Sequence, residues 1–405
     1  MHTALLSARK RTSGGALRAA RMLAGRSVLA WQAKLARELG CERIVCLCDA
    51  PTGEILDLQR EIEAAGGEFH VVRTSIQLVA LLRSDDTLVI VADGLIIDAD
   101  VARSITVGEG KLLRGVFSVA ADEEYAEQHP EDFERIDAQH RWAGLAIMRA
   151  SQAQKLADLP PDGEVLSLLL RLALQARTEL REVAFNEGSK QGWVLAADEQ
   201  ALAMHEEALI DRAAPSRRWS GPLSALAGLG ARFAVPSGLR SGELVAGIVA
   251  VLLLLAGPVL GVFGLGVVGL AVVAIGALAA DVAKTIDSFA RNLLGRSRFP
   301  FMAAHFSSAV DILAIATLIT AMIDQSIVIW SIPLFTIGLL RLAGSFTPAP
   351  IAPFWNDRGL HLAVFAICAV YGVLGEALAV TGLLALLQAL ASVSSRLPGS
   401  TDKSL

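Results

Sequence analysis

The chain has 405 residues, a formal net charge of −5 and 53% hydrophobic residues. That length admits two domains, and so modest an acidic balance gives no sign of a nucleic-acid partner. Four cysteines, with Cys41, Cys46 and Cys48 crowded around one predicted strand and Cys368 inside an apolar segment, form neither a disulfide framework nor a zinc pattern.

Hydropathy sets the division: 1–212 as a cytoplasmic α/β domain, 213–241 as linker, 242–395 as an all-α membrane domain of about six helices, and 396–405 as a cytoplasmic tail. No Asp or Glu precedes Glu38, while Arg9, Lys10, Arg11, Arg18, Arg21 and Arg26 do. Such a stretch resembles an organellar transit peptide, but a strand and a helix account for the same residues better.

Alternation and punctuation predict strands at Thr3–Leu6, Glu42–Cys48, Glu68–Arg73 and Thr87–Ala92, with helices over 26–39, 52–65 and 75–84. Gly66-Gly67 closes the second helix as a C-terminal stop. A βαβαβ order implies a mainly parallel sheet flanked by helices. Later strands are expected at Gly115–Ala120, Trp142–Met148, Leu180–Phe185 and Trp193–Ala196, with helices near 151–158, 162–176 and 198–212.

Ligands in open α/β sheets bind beyond the carboxyl ends of the strands. Three features fall there. The loop Ser7-Ala8-Arg9-Lys10-Arg11-Thr12-Ser13-Gly14-Gly15 combines small residues with cations and suits an anion such as a triphosphate; Arg9, Lys10, Arg11, Ser13, Gly14 and Gly15 are its candidate ligands. Asp93-Gly94 follows the apolar run Leu88–Ala92, where an acid can hold a divalent metal, Mg or Mn, that bridges phosphates. Asp98 and Asp100 come shortly after. Each has a plainer alternative: a solvated basic surface, a turn after a strand, and a helix cap.

The order of elements resembles the nucleotidyltransferases of the GT-A-like, sugar-phosphate type. Ala24-Gly25-Arg26-Ser27-Val28-Leu29-Ala30-Trp31 looks like that family's Gly-Arg-Pro-hydrophobic helix start, and Leu39-Gly40-Cys41-Glu42-Arg43-Ile44-Val45 like its Gly-x-x-Arg-Ile-Val strand entry. The resemblance implies a metal-binding, catalytic role for Asp93. It departs at the family's Gly-rich Ala-Gly-x-Gly-Thr-Arg loop, where Ser7-Ala8-Arg9-Lys10-Arg11 stands instead.

The C-terminal part holds apolar segments at about 244–262, 263–280, 302–323, 326–343, 359–377 and 378–393. Arg232, Arg240, Lys284, Arg291, Arg296, Arg298, Arg341, Arg358, Arg396 and Lys403 all fall in or beside connections of one parity. The other connections carry no basic residue. That sorting is the positive-inside pattern of a multi-pass protein of the cell inner membrane with both termini cytoplasmic. A buried soluble bundle has no reason to sort its charges so.

The second segment ends in Asp281, Lys284, Asp287 and Arg291, with Asp287 and Arg291 at i,i+4 spacing. In the third, His305, Ser308 and Asp311 recur every three residues. An ionisable group as deep as Asp311 is costly in a bilayer and is a functional candidate by default. These residues resemble part of the CDP-alcohol phosphatidyltransferase motif Asp-x2-Asp-Gly-x2-Ala-Arg-x8-Gly-x3-Asp-x3-Asp. Ala290-Arg291 stands for its Ala-Arg and Ser307-x3-Asp311 for its Gly-x3-Asp, which implies a metal-binding, catalytic Asp311. Ala283, Ile286 and Ile315 stand where three of its acids belong, and the spacing from Arg291 is too long.

Some bacterial enzymes fuse a nucleotidyltransferase to such a membrane transferase. The paired resemblances imply a membrane-embedded transferase-like protein of phospholipid-headgroup or polar-alcohol phosphate metabolism with degenerate motifs. The expected partners are the bilayer, a nucleotide or CDP-alcohol, and a second copy of the chain. A non-catalytic partner of such an enzyme, or a small transporter using Asp311 and His305 as a relay, are the alternatives.

Overall fold

The central strand of the N-terminal sheet is also the first strand of the chain. The structure, a computed structural model, describes residues 1–160, 163–183, 192–213, 221–234, 239–294, 300–323, 330–348 and 350–394, in two units, Met1–Ala208 and Leu209–Leu405.

In the first unit β1 (His2–Ala8) is buried from Thr3 onward and pairs in parallel with β2 (Arg43–Cys48) on one side. Parallel β3 (Glu68–Val72) lies beyond β2, and β4 (Thr87–Val91) pairs in parallel with the other side of β1. Every residue of β4 is buried, as a central strand covered on both faces requires. The predicted parallel order is therefore present. The segment resembling a transit peptide forms β1 and all of α1 (Val28–Glu38) but its last residue.

Helix α1 places Val28, Leu29, Ala33 and Ala36 on one buried face, and Ser27 caps it by accepting from Ala30 N. Helices α2 (Gly53–Ala64) and α3 (Ser75–Leu81) connect the next strands, and α2 stops where Gly66 takes φ +77°, a left-handed conformation open to glycine.

The remaining segments complete the sheet. A short β5 (Leu95–Ile97) and helix α4 (Ala99–Thr106) follow β4; the strand is not predicted, because three residues carry too little alternation to register, while the helix is anticipated only through the cap reading of Asp98 and Asp100. Asp98 caps α4 by accepting from Asp100 N at 3.0 Å, which is the plainer of its two readings. After β6 (Gly115–Ala120) come α5 (Glu124–Gln128) and β7 (His140–Arg149), which runs antiparallel to both β6 and β4. Then come α6 (Val165–Gln175), β8 (Leu180–Glu182), β9 (Trp193–Leu195) and α7 (Glu199–Ala213). The seven-stranded order is β8-β6-β7-β4-β1-β2-β3, and β9 pairs with β5 in a separate antiparallel ribbon. The strand expected over Leu180–Phe185 ends at Glu182, and residues 184–191 lie outside the described residues.

The second unit is helical: α8 (Pro222–Ala234), α9 (Leu239–Val262), α10 (Gly266–Leu294), α11 (Pro300–Ala321), α12 (Ser331–Phe346), α13 (Ala352–Asn356), α14 (Arg358–Val370) and α15 (Leu374–Ser394). The six expected apolar segments fall on α9 to α12, α14 and α15. Residues 326–329 of the fourth expected segment lie outside the described residues, and two boundaries differ by the most. Helix α10 continues past 280 to Leu294, so Asp281 to Arg291 belong to it, and the break after α14 comes at Tyr371–Val373 rather than after 377, where Gly372 takes φ +73°.

Among the described residues, three helices are long and apolar enough to cross a membrane, over Leu244–Val262, Gly266–Leu293 and Leu374–Ser394. At about 1.5 Å per residue the last of these is about 30 Å long, the thickness of a bilayer's hydrocarbon core. Large apolar side chains such as Leu252, Val262, Ile275 and Leu383 are more than half exposed on these helices. Glycines bring α9 and α10 close together: a Cβ on Gly269 would lie 2.6 Å from the Gly257 carbonyl oxygen.

Candidate functional site

The connections from β1 through β2 to β3 leave β1 on one side, and β4 returns on the other. The loops after β1 and β4 therefore meet at a topological switch point. There the structure brings together Asp93 and the basic loop.

Asp93 is 2% exposed. Its Oδ2 accepts from Ser7 Oγ at 3.0 Å and from the backbone N–H groups of Arg9 at 2.6 Å and Lys10 at 2.8 Å. Its Oδ1 is buried with no hydrogen-bond partner. Burial pushes the Asp93 carboxyl above the ordinary carboxylate range, opposed by the Lys10 and Arg9 N–H groups and the Ser7 hydroxyl. The near half of the loop thus turns its amides onto an acid of the same chain. Held like this, they are not free to cradle a ligand.

The turn carrying Asp93 is built from α1. Gln32, 1% exposed, donates its Nε2 to the carbonyls of Ala92 at 2.8 Å and Leu95 at 2.7 Å, on either side of Asp93-Gly94. Gly94 takes φ +73°, and a Cβ there would stand 3.0 Å from Arg18 Cβ. Sequence analysis passes over Gln32. The only hint is a polar residue on the apolar face of a predicted helix.

Two of the loop's cations, Arg9 and Lys10, have carboxylate partners. Arg9 Nε lies 3.0 Å from Asp49, and Arg9 Nη2 donates to the Arg73 carbonyl. Lys10 Nζ and Arg18 Nη1 share Asp132 Oδ1, at 2.7 and 2.6 Å. Arg11 donates to the Gly15 carbonyl within the turn, and Ser13, Gly14 and Gly15 are exposed. Beside Arg9, the Cys48 thiol is lowered to about 7, because the Cys46 S–H donates to it and the Arg73 and Arg9 cations lie near; burial works against this.

A cavity of about 460 Å³ also lies in this unit, lined by Tyr125, Trp193, Asp198, Met204 and His205. The Tyr125 hydroxyl accepts from Leu195 N at 3.1 Å. No motif in the sequence marks it.

In the helical unit Asp311 is 7% exposed, as its depth in an apolar segment demands. Its partners are not Asp281, Asp287 or Arg291. Arg358 at the start of α14 contacts both its oxygens, Nε at 2.5 Å and Nη2 at 3.2 Å, and Arg341 on α12 reaches Oδ2 at 2.8 Å. Arg291 instead pairs with Asp287 at 3.2 Å on its own helix, and Asp281 with Lys284 at 3.4 Å. The side chain of His305 lies outside the described residues. Asp357, which sequence analysis does not single out, is 1% exposed: its Oδ2 accepts from Leu223 N and its Oδ1 from Leu360 N, so one carboxylate caps α8 and α14.

Among the described residues, no group of three or more His, Cys, Asp or Glu is placed to hold a metal ion. Asp93 alone, with its unpartnered Oδ1, fits a divalent ion that takes its other ligands from phosphates and water. Asp311, gripped by two guanidinium groups, does not fit a cation.

No family model matches the sequence, and no curated protein matches it. Among solved structures, the chain is similar to an inositol-1-phosphate CTP transferase from T. maritima, at 12% identity and a TM-score of 0.37, over 51% of this chain and 96% of that one. It is also similar to a protein assigned as a glucose-1-phosphate thymidylyltransferase from Bacillus anthracis, at 11% identity and a TM-score of 0.38, over 51% of this chain and 96% of that one.

Proposed function

We propose that the chain is a membrane-embedded, nucleotidyltransferase-like protein of polar-alcohol phosphate or phospholipid-headgroup metabolism. A nucleoside triphosphate or CDP-alcohol binds at the exposed far half of the loop after β1, beside Asp93. The observation that carries this is the convergence of a cation-rich loop and a buried, half-satisfied carboxylate at the switch point of an open parallel sheet, where such folds hold their ligands.

Arg11 and the exposed Ser13–Gly15 turn meet the phosphates, while Asp93 Oδ2 fixes the loop and Oδ1 is offered to a Mg or Mn ion. Such an ion, when bound, neutralises phosphate charge. The three long apolar helices and the one-sided distribution of basic residues support a multi-pass protein with both termini cytoplasmic.

One observation favours a non-catalytic, nucleotide-sensing partner of such an enzyme instead. Among the described residues Asp93 belongs to no group of three or more metal-ligating side chains, and Lys10 and Arg18 are both spent on Asp132. Pyrophosphate release from CTP in the presence of a polar-alcohol phosphate, measured on the full chain in detergent, separates the two. Release that requires Mg and is lost in Asp93→Asn supports transfer; saturable nucleotide binding without release supports the partner.

A further inference from the structure

The Asp311 cluster carries more positive charge than one acid needs. Arg341 and Arg358 converge on a single carboxylate, and all three line a cavity of about 30 Å³ together with Trp355, Asn356 and His361. Arg341 is held from a second side, its Nη2 donating to Ser308 Oγ at 2.9 Å, and its side chain is half exposed. The other acids nearby do not line the cavity: Asp357 spends its oxygens on two helix N-termini, and Asp281 pairs with Lys284.

A second observation concerns Trp355. Its Nε1 is buried without a hydrogen-bond partner, and an indole N–H can only donate. The ring is held in place, stacked on His361 at 6.4 Å between centroids, with His361 Nδ1 tied to the Asp357 carbonyl at 2.7 Å. A fixed donor left unsatisfied in an apolar unit is costly, and so is surplus cationic charge. Both lacks are met by one anionic acceptor. Guanidinium groups match the tetrahedral oxygens of phosphate, to which each can offer paired N–H donors.

We infer that Arg341, Arg358 and Trp355 form a binding site for a phosphate group, with Asp311 setting the two guanidinium groups in place rather than holding a metal. The cavity admits the tip of the group, a phosphoryl oxygen on Trp355 Nε1, and the rest lies beside Arg341. The site stands whether or not the N-terminal unit binds nucleotide, since no nucleotide enters its test.

The test is the thermal unfolding midpoint of the full chain in a neutral maltoside, at constant ionic strength, titrated with inorganic phosphate and with glycerol 3-phosphate. A parallel arm uses phosphatidylcholine nanodiscs with and without phosphatidic acid. The expected result is a saturable rise in midpoint, with an apparent affinity weakened about tenfold in Trp355→Phe, which keeps the ring and removes the donor, and abolished in Arg341→Gln. A rise with the soluble phosphates identifies a free phosphate ester as the ligand; a rise confined to phosphatidic acid identifies a lipid headgroup. No rise in any arm, or an undiminished rise in both variants, overturns the site. If Arg341→Gln does not fold, Trp355→Phe alone decides.

Discussion

The Asp93 carboxylate and the backbone N–H of Arg9 lie 2.6 Å apart, so the acid closes the basic loop onto the end of β4. With Ser7 and Lys10 also donating to the same oxygen, Asp93 is first an anchor of the loop. Asp93→Ala should free these donors at a cost of about 1–3 kcal/mol. Hydrogen exchange at the Arg9 and Lys10 amides should speed up markedly; unchanged protection would remove the clasp.

The same contact fixes a pH dependence. Asp93 has its folded pKa raised, so the folded state holds the proton more tightly than the unfolded chain does. Its contribution is most favourable below the ordinary carboxylate value, declines as pH rises from there through the folded pKa, and is flat above. Asp93→Asn should lose this decline. The difference in unfolding free energy between wild type and variant should therefore drift in the variant's favour across the mildly acidic range, and a constant difference would count against a raised pKa.

What the sequence makes legible follows the strength of the local pattern. Strands β1, β2 and β4 are readable because buried parallel strands leave continuous apolar runs, and α2 because Gly66-Gly67 ends it. Asp93 and Asp311 are visible as acids beside or within such runs. Their partners are not. Gln32 reaches the Asp93 turn from sixty positions away and Arg358 reaches Asp311 from 47, and no local spacing records such contacts. Arg341 and Arg358 are noticed only as basic residues of one parity, whereas the i,i+4 pairing of Arg291 with Asp287 is local and is present. The close approach of α9 and α10 is likewise hidden, since an apolar helix shows its glycines but not their counterparts.

Pairing in the helical unit makes a graded prediction. Asp311→Asn should destabilise the chain by on the order of 3 kcal/mol, because it removes a buried carboxylate's charge from two guanidinium groups, of which Arg358 is the more buried. Arg358→Gln should cost more than Arg341→Gln, whose side chain is 50% exposed against 25% for Arg358. Arg291→Gln, which removes a half-exposed side chain from the buried Asp287, should cost less than Asp311→Asn, since only one ion pair is lost. Thermal unfolding in detergent orders the four, and an Arg291→Gln loss matching that of Asp311→Asn would reverse the assignment.

Packing of α9 on α10 depends on Gly269. Its replacement by Ala puts a methyl group against the Gly257 carbonyl and should cost about 1–3 kcal/mol. Gly247→Ala, which meets nothing within 4 Å, should be neutral or slightly stabilising through helix propensity. Equal midpoints for the two variants would show that the close approach is absent.

Topology is testable with single cysteines in a Cys368→Ser background, since Cys41, Cys46 and Cys48 are buried. A cysteine at Tyr371, in the exposed turn between α14 and α15, should react with an impermeant maleimide on intact cells, and one at Ser13 only after permeabilisation. The opposite pattern would invert the protein in its membrane.

The most direct measurement is titration of CTP into the full-length protein in detergent, with and without Mg, for wild type and for Arg11→Ala and Asp93→Asn. Saturable binding that Mg strengthens is expected, weakened by Arg11→Ala and made indifferent to Mg by Asp93→Asn. Absence of binding by CTP and by every other nucleoside triphosphate, with or without Mg, would contradict it.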